Sequence, residues 1–370
     1  MTTPAFGTFF LPGPTEVHAE VLAAMLRPMM PHRGAAFEAL FARCVRGLQT
    51  VFRTTRPVYV SSSSATGLME GAVRAAPPGP ILALVNGAFS ERFARIATAC
   101  GRETELMQVP LGASFDLGAV RAQLAARAWA AITVVHSETS TGVLTDVHAL
   151  TVLAHEFDVP CLVDSVTGVG GTPVEADGWA LDFVLTGSQK ALALPPGLAF
   201  GVASERFIAQ AKSGVARGVY FDLVEFESYG AKHQTPNTPA LSLLYALDAQ
   251  LPRIAAEGIE GRWARHAAMA DATHAWVAAL AQRTGRAFGI LAAPGQRSHT
   301  VTAVTVPDGL DGQTIVKSVA ARGYVIGDGY GSLKGRTFRI GHMGDHTLAT
   351  LAGCLAACDS AVDDVLAARA

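Results

Sequence analysis

The sequence predicts an α/β fold: a large domain with a mainly parallel central sheet, then a smaller α+β domain. Three observations carry that expectation. Between residues 57 and 204, short β-rich apolar runs alternate with segments of helical periodicity. The runs are almost continuously apolar, as in strands covered on both faces. A proline-rich break, Thr235-Pro236-Asn237-Thr238-Pro239, then gives way to a long helical region and a mixed set of strands and helices.

In chain order, the apolar runs at 58–60, 81–85, 132–135, 161–163, 183–185 and 198–202 read as strands. Phe89, Phe93, Ile96, Ala97 and Cys100 share one helical face. Leu150, Leu153, Ala154 and Phe157 share another, behind an N-cap at Asp146. Residues 241–282 read as one helical region. Beyond it the pattern predicts a strand at 300–306, a helix at 312–322, a strand ending at Ile326, a strand at 338–341 and a closing helix after Asp345. A domain boundary is expected near residue 260, dividing the chain into 1–260 and 261–370.

Composition narrows the function. The 370 residues carry 29 basic and 31 acidic side chains, a formal charge of −2, so no basic field recruits nucleic acid or anionic lipid. Only 16% of residues are charged and 50% are apolar, which suits a large core with apolar surface left for an oligomeric contact. No apolar run is long enough for a membrane span, and residues 1–10 show no secretory pattern. The five cysteines (Cys44, Cys100, Cys161, Cys354, Cys358) are scattered, without a C-x-x-C pair. They argue against a disulfide framework or zinc site and point to the reducing cytoplasm. His266 and His274, eight apart on a helix, diverge in angle and are expected at the surface.

Four constellations could carry chemistry. Lys190 ends Thr186-Gly187-Ser188-Gln189-Lys190, just past a core strand and in a run with no other charge. Burying an ammonium there is costly unless the amine is neutral or covalently used; the alternative is a lysine that snorkels to water. Asp164 ends Cys161-Leu162-Val163-Asp164, where open α/β sheets bind ligands; the alternative is a loop hydrogen bond. Ser61-Ser62-Ser63-Ser64-Ala65-Thr66-Gly67 runs from a strand into a helix, a start that suits an anion, or is an ordinary polar turn. Arg339, in Phe338-Arg339-Ile340-Gly341, needs an anionic partner within an apolar strand: a substrate carboxylate or a structural acid. No nucleophile elbow, Walker loop or H-E-x-x-H occurs, and Gly327, Gly329 and Gly331 do not complete a dinucleotide fingerprint.

In this order, and joined by Leu11-Pro12-Gly13-Pro14-Thr15, Pro31-His32-Arg33, His136-Ser137-Glu138-Thr139-Ser140-Thr141-Gly142-Val143 and Leu333-Lys334-Gly335, these segments resemble the class V aminotransferases. These are pyridoxal 5'-phosphate enzymes of fold type I. The likeness spans nearly the whole chain and is greatest to the alanine–glyoxylate and serine–glyoxylate (serine–pyruvate) branch. It implies that Lys190 holds the cofactor as a Schiff base and shuttles the proton of catalysis, and that Asp164 keeps the pyridine nitrogen protonated. Ser64, Ala65 and Thr66 would bind the phosphate with Gln189 beside them, Thr139 would approach the ring hydroxyl, and Arg339 would hold the substrate carboxylate. Thr235 and Thr238 would complete the phosphate site of a partner subunit, so a homodimer with interfacial active sites is expected.

The implied activity is transfer of an amino group between serine or alanine and glyoxylate or pyruvate. Other outcomes compatible with the resemblance are an aminophosphonate or ureidoglycine aminotransferase, a lyase, or a non-catalytic cofactor-binding protein. Two departures stand out. Phe89 occupies the position where the alanine–glyoxylate branch stacks a tryptophan, keeping the apolar face without the N–H. Thr235 aligns with a tyrosine of the animal enzymes. No cysteine lies between residues 162 and 353, which argues against a desulfurase.

Overall fold

The computed structural model describes residues 6–214 and 216–368. A seven-stranded sheet forms its centre, in the order Val58–Ser61, Ala199–Ala203, Phe183–Gly187, Cys161–Asp164, Ala131–Val135, Ile81–Val85, Thr104–Gln108. Only Ala199–Ala203 runs antiparallel to its neighbours. The six apolar runs read from the sequence are all strands. Every residue in them is buried.

The cause is visible in the packing. Leu82, Ile132, Val134, Val163, Val184 and Phe200 enter the apolar cluster on one side of the sheet. Their chain neighbours Ile81, Ala131, Leu162, Phe183, Leu185 and Ala199 enter the cluster on the other. A side-chain period of two with both faces covered requires an apolar residue at every position. The seventh strand, Thr104–Gln108, was not expected. It lies at the edge, is mostly exposed, and so keeps polar residues.

The expected helical region splits into Leu241–Glu257 and Ile259–Thr284 at Gly258. The second helix packs against the C-terminal elements, so His266, expected at the surface, is fully buried. Its Nδ1 meets the Arg262 carbonyl at 2.7 Å, and its Nε2 accepts from Gly344 N at 3.1 Å. His274 is half-buried.

The C-terminal elements build a five-stranded sheet, ordered Thr8–Phe10, Tyr324–Asp328, Thr337–Gly341, Val301–Thr305, Gly289–Ile290. The N-terminal strand joins it in parallel with Tyr324–Asp328. Phe338 and Ile340 face an apolar core shared with Phe10, Met269, Val304 and Leu351. Arg339, between them in sequence, points to the opposite face. Residues 11–14 cross that face. A Cβ at Gly341 would lie 2.1 Å from the Leu11 carbonyl oxygen, so glycine is needed for the crossing. Among the described residues, no helix is long and apolar enough to cross a membrane.

Candidate active site

Four parallel strands end on the same side of the central sheet, and their following loops converge. Asp164 terminates Cys161–Asp164 and pairs in register with Leu185 of the next strand. That strand leads through Ser188 and Gln189 to Lys190. Ile81–Val85 leads to the helix Ala88–Ala99, whose second residue is Phe89, and Ala131–Val135 leads to Ser137 and Thr139. With the start of the helix Ala65–Ala75, they enclose a cavity of about 220 Å³. Ser64, Ala65, Thr66, Phe89, Thr139, Asp164, Gln189 and Lys190 all line it, together with Arg92.

The Lys190 turn is pinned from two sides. Thr15 N donates to the Gln189 carbonyl, and Thr15 Oγ1 to the Lys190 carbonyl, both at 3.1 Å. Arg262, from the helix Ile259–Thr284, donates to the Ala191 carbonyl through Nη2 at 2.7 Å, and Gln250, from the helix Leu241–Glu257, donates through Nε2 to the Leu192 carbonyl at 3.1 Å. The lysine amine donates to the Pro12 carbonyl. Gly13, at φ +110°, leaves room for it, since a Cβ there would meet Nζ at 2.3 Å.

Burial sets the acid–base character. Lys190 is 9% exposed. Loss of water, then the charge of Arg339, lower its pKa to about 8, with Arg92 adding to the fall and Asp164 opposing it. Burial raises Asp164 to about 7, against the pull of a 2.8 Å bond from Val166 N. An amine near 8 keeps a usable neutral fraction at physiological pH and can act as nucleophile and proton carrier.

Ser64 is the N-cap of Ala65–Ala75 but makes no side-chain cap bond. Gly67 N already donates to the Ser64 carbonyl at 3.0 Å, but the amides of Ala65 and Thr66 have no intrahelical acceptor, so they and the helix dipole are free for an anion. Arg339 does not line the cavity. It abuts the rim, donating from Nη1 to the carbonyl of the lining residue Thr139 at 3.1 Å and from Nε to the Asp328 carbonyl at 2.8 Å. Thr235 and Thr238 lie elsewhere, in a small groove with Ser61, Ser62 and Tyr220. Thr235 is buried, its Oγ1 donating to the Asn237 carbonyl at 2.7 Å, and Thr238 is exposed.

A sequence model of the family described as Aminotransferase class-V matches residues 77–335. The chain belongs to the class V aminotransferases. The family consists of pyridoxal-phosphate enzymes of fold type I, and the mainly parallel central sheet above agrees with that fold. The chain is 35% identical to an uncharacterized aminotransferase of Methanocaldococcus jannaschii, over 92% of this chain and 90% of that one. It is 31% identical to the serine–glyoxylate aminotransferase of Methylorubrum extorquens, over 98% and 92%. The crystal structure of an alanine–glyoxylate aminotransferase from Nostoc sp. superposes with a TM-score of 0.90 at 28% identity, covering 98% of this chain and 96% of that one.

Two residues at this candidate site were given no role from the sequence. Glu138 is fully buried. It accepts from Ser90 N at 2.9 Å, from Phe89 N at 3.2 Å and from Ser140 N at 3.0 Å, besides the hydroxyls of Ser90 and Ser140. Its carboxylate therefore sits on the amino end of the helix that carries Phe89, where the dipole favours a negative charge. Arg92 lies one turn beyond Phe89 on that helix, its guanidinium 4.7 Å above the Phe89 ring. The i, i+3 spacing was the available signal: any residue at that offset shares the face of Phe89.

Proposed function

We propose that this aminotransferase binds pyridoxal phosphate in the Lys190 cavity and exchanges the amino group of a small amino acid, serine or alanine, with a small 2-oxo acid, glyoxylate or pyruvate. One observation carries the reading: a buried amine near pKa 8 shares an enclosed cavity with a buried acid, an aromatic side chain and an uncapped helix start. Those four features match an aldehyde, a pyridine nitrogen, a ring face and a phosphate. The serine–glyoxylate name of a full-length relative supports the substrate class.

Bound pyridoxal phosphate supplies the electron sink for a carbanion at the substrate's Cα. The chain's residues do the rest. Lys190 Nζ holds the aldehyde carbon and carries a proton to and from Cα. Asp164 holds a proton at the pyridine nitrogen. The amides of Ala65 and Thr66, with Ser64 and Gln189, bind the phosphate, while Phe89 covers the ring and Thr139 approaches its hydroxyl. Arg339 grips the α-carboxylate and so orients the C–H bond to be broken. Residues 12–14 exclude water above the amine.

In this reading the enzyme is a homodimer. Thr235 and Thr238 of a second copy would reach the phosphate, and the boundary near residue 260 separates a cofactor-binding from a substrate-closing domain. Five unpaired thiols suit the cytoplasm. The test is a panel of amino donors against glyoxylate and pyruvate, with wild type and Lys190→Ala. We expect serine or alanine to bleach the cofactor's visible band and turn over, and Lys190→Ala to lose about a thousandfold or more in kcat. Turnover of Lys190→Ala at the wild-type rate would refute the proposal.

A further inference from the structure

We infer that Arg92 and Tyr330 form a second anion subsite beside Arg339, so that the amino donors include dicarboxylic amino acids. The inference rests on the aminotransferase reading above and specifies the chemistry of its donor.

Arg92 lines the same cavity as Lys190 and Asp164. Its field reaches both, lowering the pKa of each. Yet among the described residues it has no carboxylate within ion-pair distance, and neither has Arg339. The charges of Asp328 and Glu138 reach Arg339 from beyond ion-pair distance, yet neither guanidinium is directly paired, and both can take an anion. The α-carboxylate of a substrate accounts for one of them. The phosphate has its own donors at the start of Ala65–Ala75. Arg92 is left over.

Tyr330 ties the two arginines together. Arg92 Nη2 donates to its hydroxyl oxygen at 3.1 Å, and the Arg339 guanidinium lies over its ring, 5.6 Å from the centroid. The two cations are therefore separated by no more than one tyrosine side chain and its two contacts, a span that a four- or five-carbon diacid can bridge. Because the Tyr330 oxygen accepts from Arg92, its own proton is free to donate onward. Arg92 and Tyr330 thus offer a planar fork and a hydroxyl, a set suited to a carboxylate. The Phe89 ring packs against Tyr330 at a 32° tilt, centroids 5.4 Å apart, and supports the Arg92 guanidinium from below, so the pair is held by packing as well as by the hydrogen bond.

The test measures kcat/KM of the holoenzyme for aspartate and glutamate against alanine and serine, with glyoxylate as acceptor, in wild type, Arg92→Gln and Tyr330→Phe. Wild type should use an acidic donor. Arg92→Gln should lower the acidic-to-neutral ratio of kcat/KM by about tenfold or more, and Tyr330→Phe by about threefold. In parallel, calorimetric titration with succinate and with butanoate reads the subsite without turnover. Wild type should prefer succinate, and Arg92→Gln should lose the preference.

Neutral donors turned over with no acidic donor accepted and no succinate preference would overturn the subsite while leaving the aminotransferase reading intact. So would an unchanged ratio in Arg92→Gln, which would mark Arg92 as structural. O-phosphoserine exceeding both acidic donors would overturn the carboxylate assignment. A succinate preference lost in Arg92→Gln, with no donor of either class turned over, would support the subsite and refute the function proposed above.

Discussion

Replacing Glu138 by glutamine removes one charge and almost no volume, yet the geometry predicts a large effect. Both carboxylate oxygens face donors: one accepts from Ser140 N and the Ser140 hydroxyl, the other from Ser90 N and the Ser90 hydroxyl, and Phe89 N lies between them. A glutamine amide must turn its NH2 toward one of these sets. Either orientation sets donor against donor and leaves a buried backbone N–H without an acceptor. That costs about 1–3 kcal/mol, and the remaining bonds lose their charge assistance. The helix dipole loses its counter-charge as well. The total is about 4 kcal/mol, of the size found when a buried charge partner is removed. For a 370-residue chain it corresponds to a fall of about 5 °C in Tm. Because Phe89 N would keep only one of its two oxygen acceptors, beside a newly placed NH2, the ring should also shift, with a loss of about tenfold in kcat/KM. Differential scanning calorimetry and steady-state kinetics on Glu138→Gln would check both. A Tm within about 1 °C of wild type would refute the capping argument.

Two further predictions follow from burial. A carboxyl whose folded pKa is raised from 3.8 to about 7 keeps its full contribution to stability below pH 3.8 and loses it as pH climbs to 7, a difference of about 4 kcal/mol. Asp164→Asn should therefore raise the Tm of the cofactor-free protein by a few degrees at about pH 8, an advantage that shrinks toward about pH 4, while activity falls about a hundredfold or more; a less stable variant at the higher pH would contradict the reasoning. The buried histidines act in the opposite sense. His136 is lowered from 6.5 to about 4 and His342 to about 3 by burial, and His266 is also well below its ordinary value, so each loses stability as pH falls below 6.5. Between about pH 7.5 and about pH 5.5 His136 and His342 cost about 3 kcal/mol, His266, His274, His299 and His346 add in the same direction, and Asp164 returns about 2, so Tm should fall by about 1 °C or more; a Tm that rose over this range would show that the histidines do not govern the acid limb.

What the sequence reveals about this fold tracks how fully each element is buried. Strands covered on both faces must be apolar throughout, so six of the seven central strands stood out, and Lys190, Asp164 and Arg339 stood out as charges against that background. Thr104–Gln108 did not, because an edge strand with exposed side chains has the composition of a loop. Thr8–Phe10 is only three residues long, and its partner strand lies at the far end of the chain. Gly258, at φ +76°, breaks a helical region whose apolar pattern continues across it. Glu138 was hidden for another reason. It sits in a polar run, and its partners Phe89 and Ser90 come from a distant segment, so nothing local marks it as buried. Arg92 looks like any arginine on an amphipathic helix until the cavity is seen.

The way the site holds its cations explains why it remains open to anions. The Lys190 amine donates to the Pro12 carbonyl, Arg339 to the carbonyls of Thr139 and Asp328, and Arg92 to the Tyr330 hydroxyl. None of the three is tied to a carboxylate, although many arginines elsewhere in the chain are. A carbonyl or hydroxyl orients a cation without cancelling its charge. A carboxylate in the same position would neutralise it, raise the lysine toward its ordinary pKa and compete with any acidic ligand. Orientation by dipoles thus gives fixed geometry, a lysine with a usable neutral fraction near neutral pH and a positive field not cancelled by direct ion pairs, three conditions that an amine-transfer site acting on amino and oxo acids must meet together.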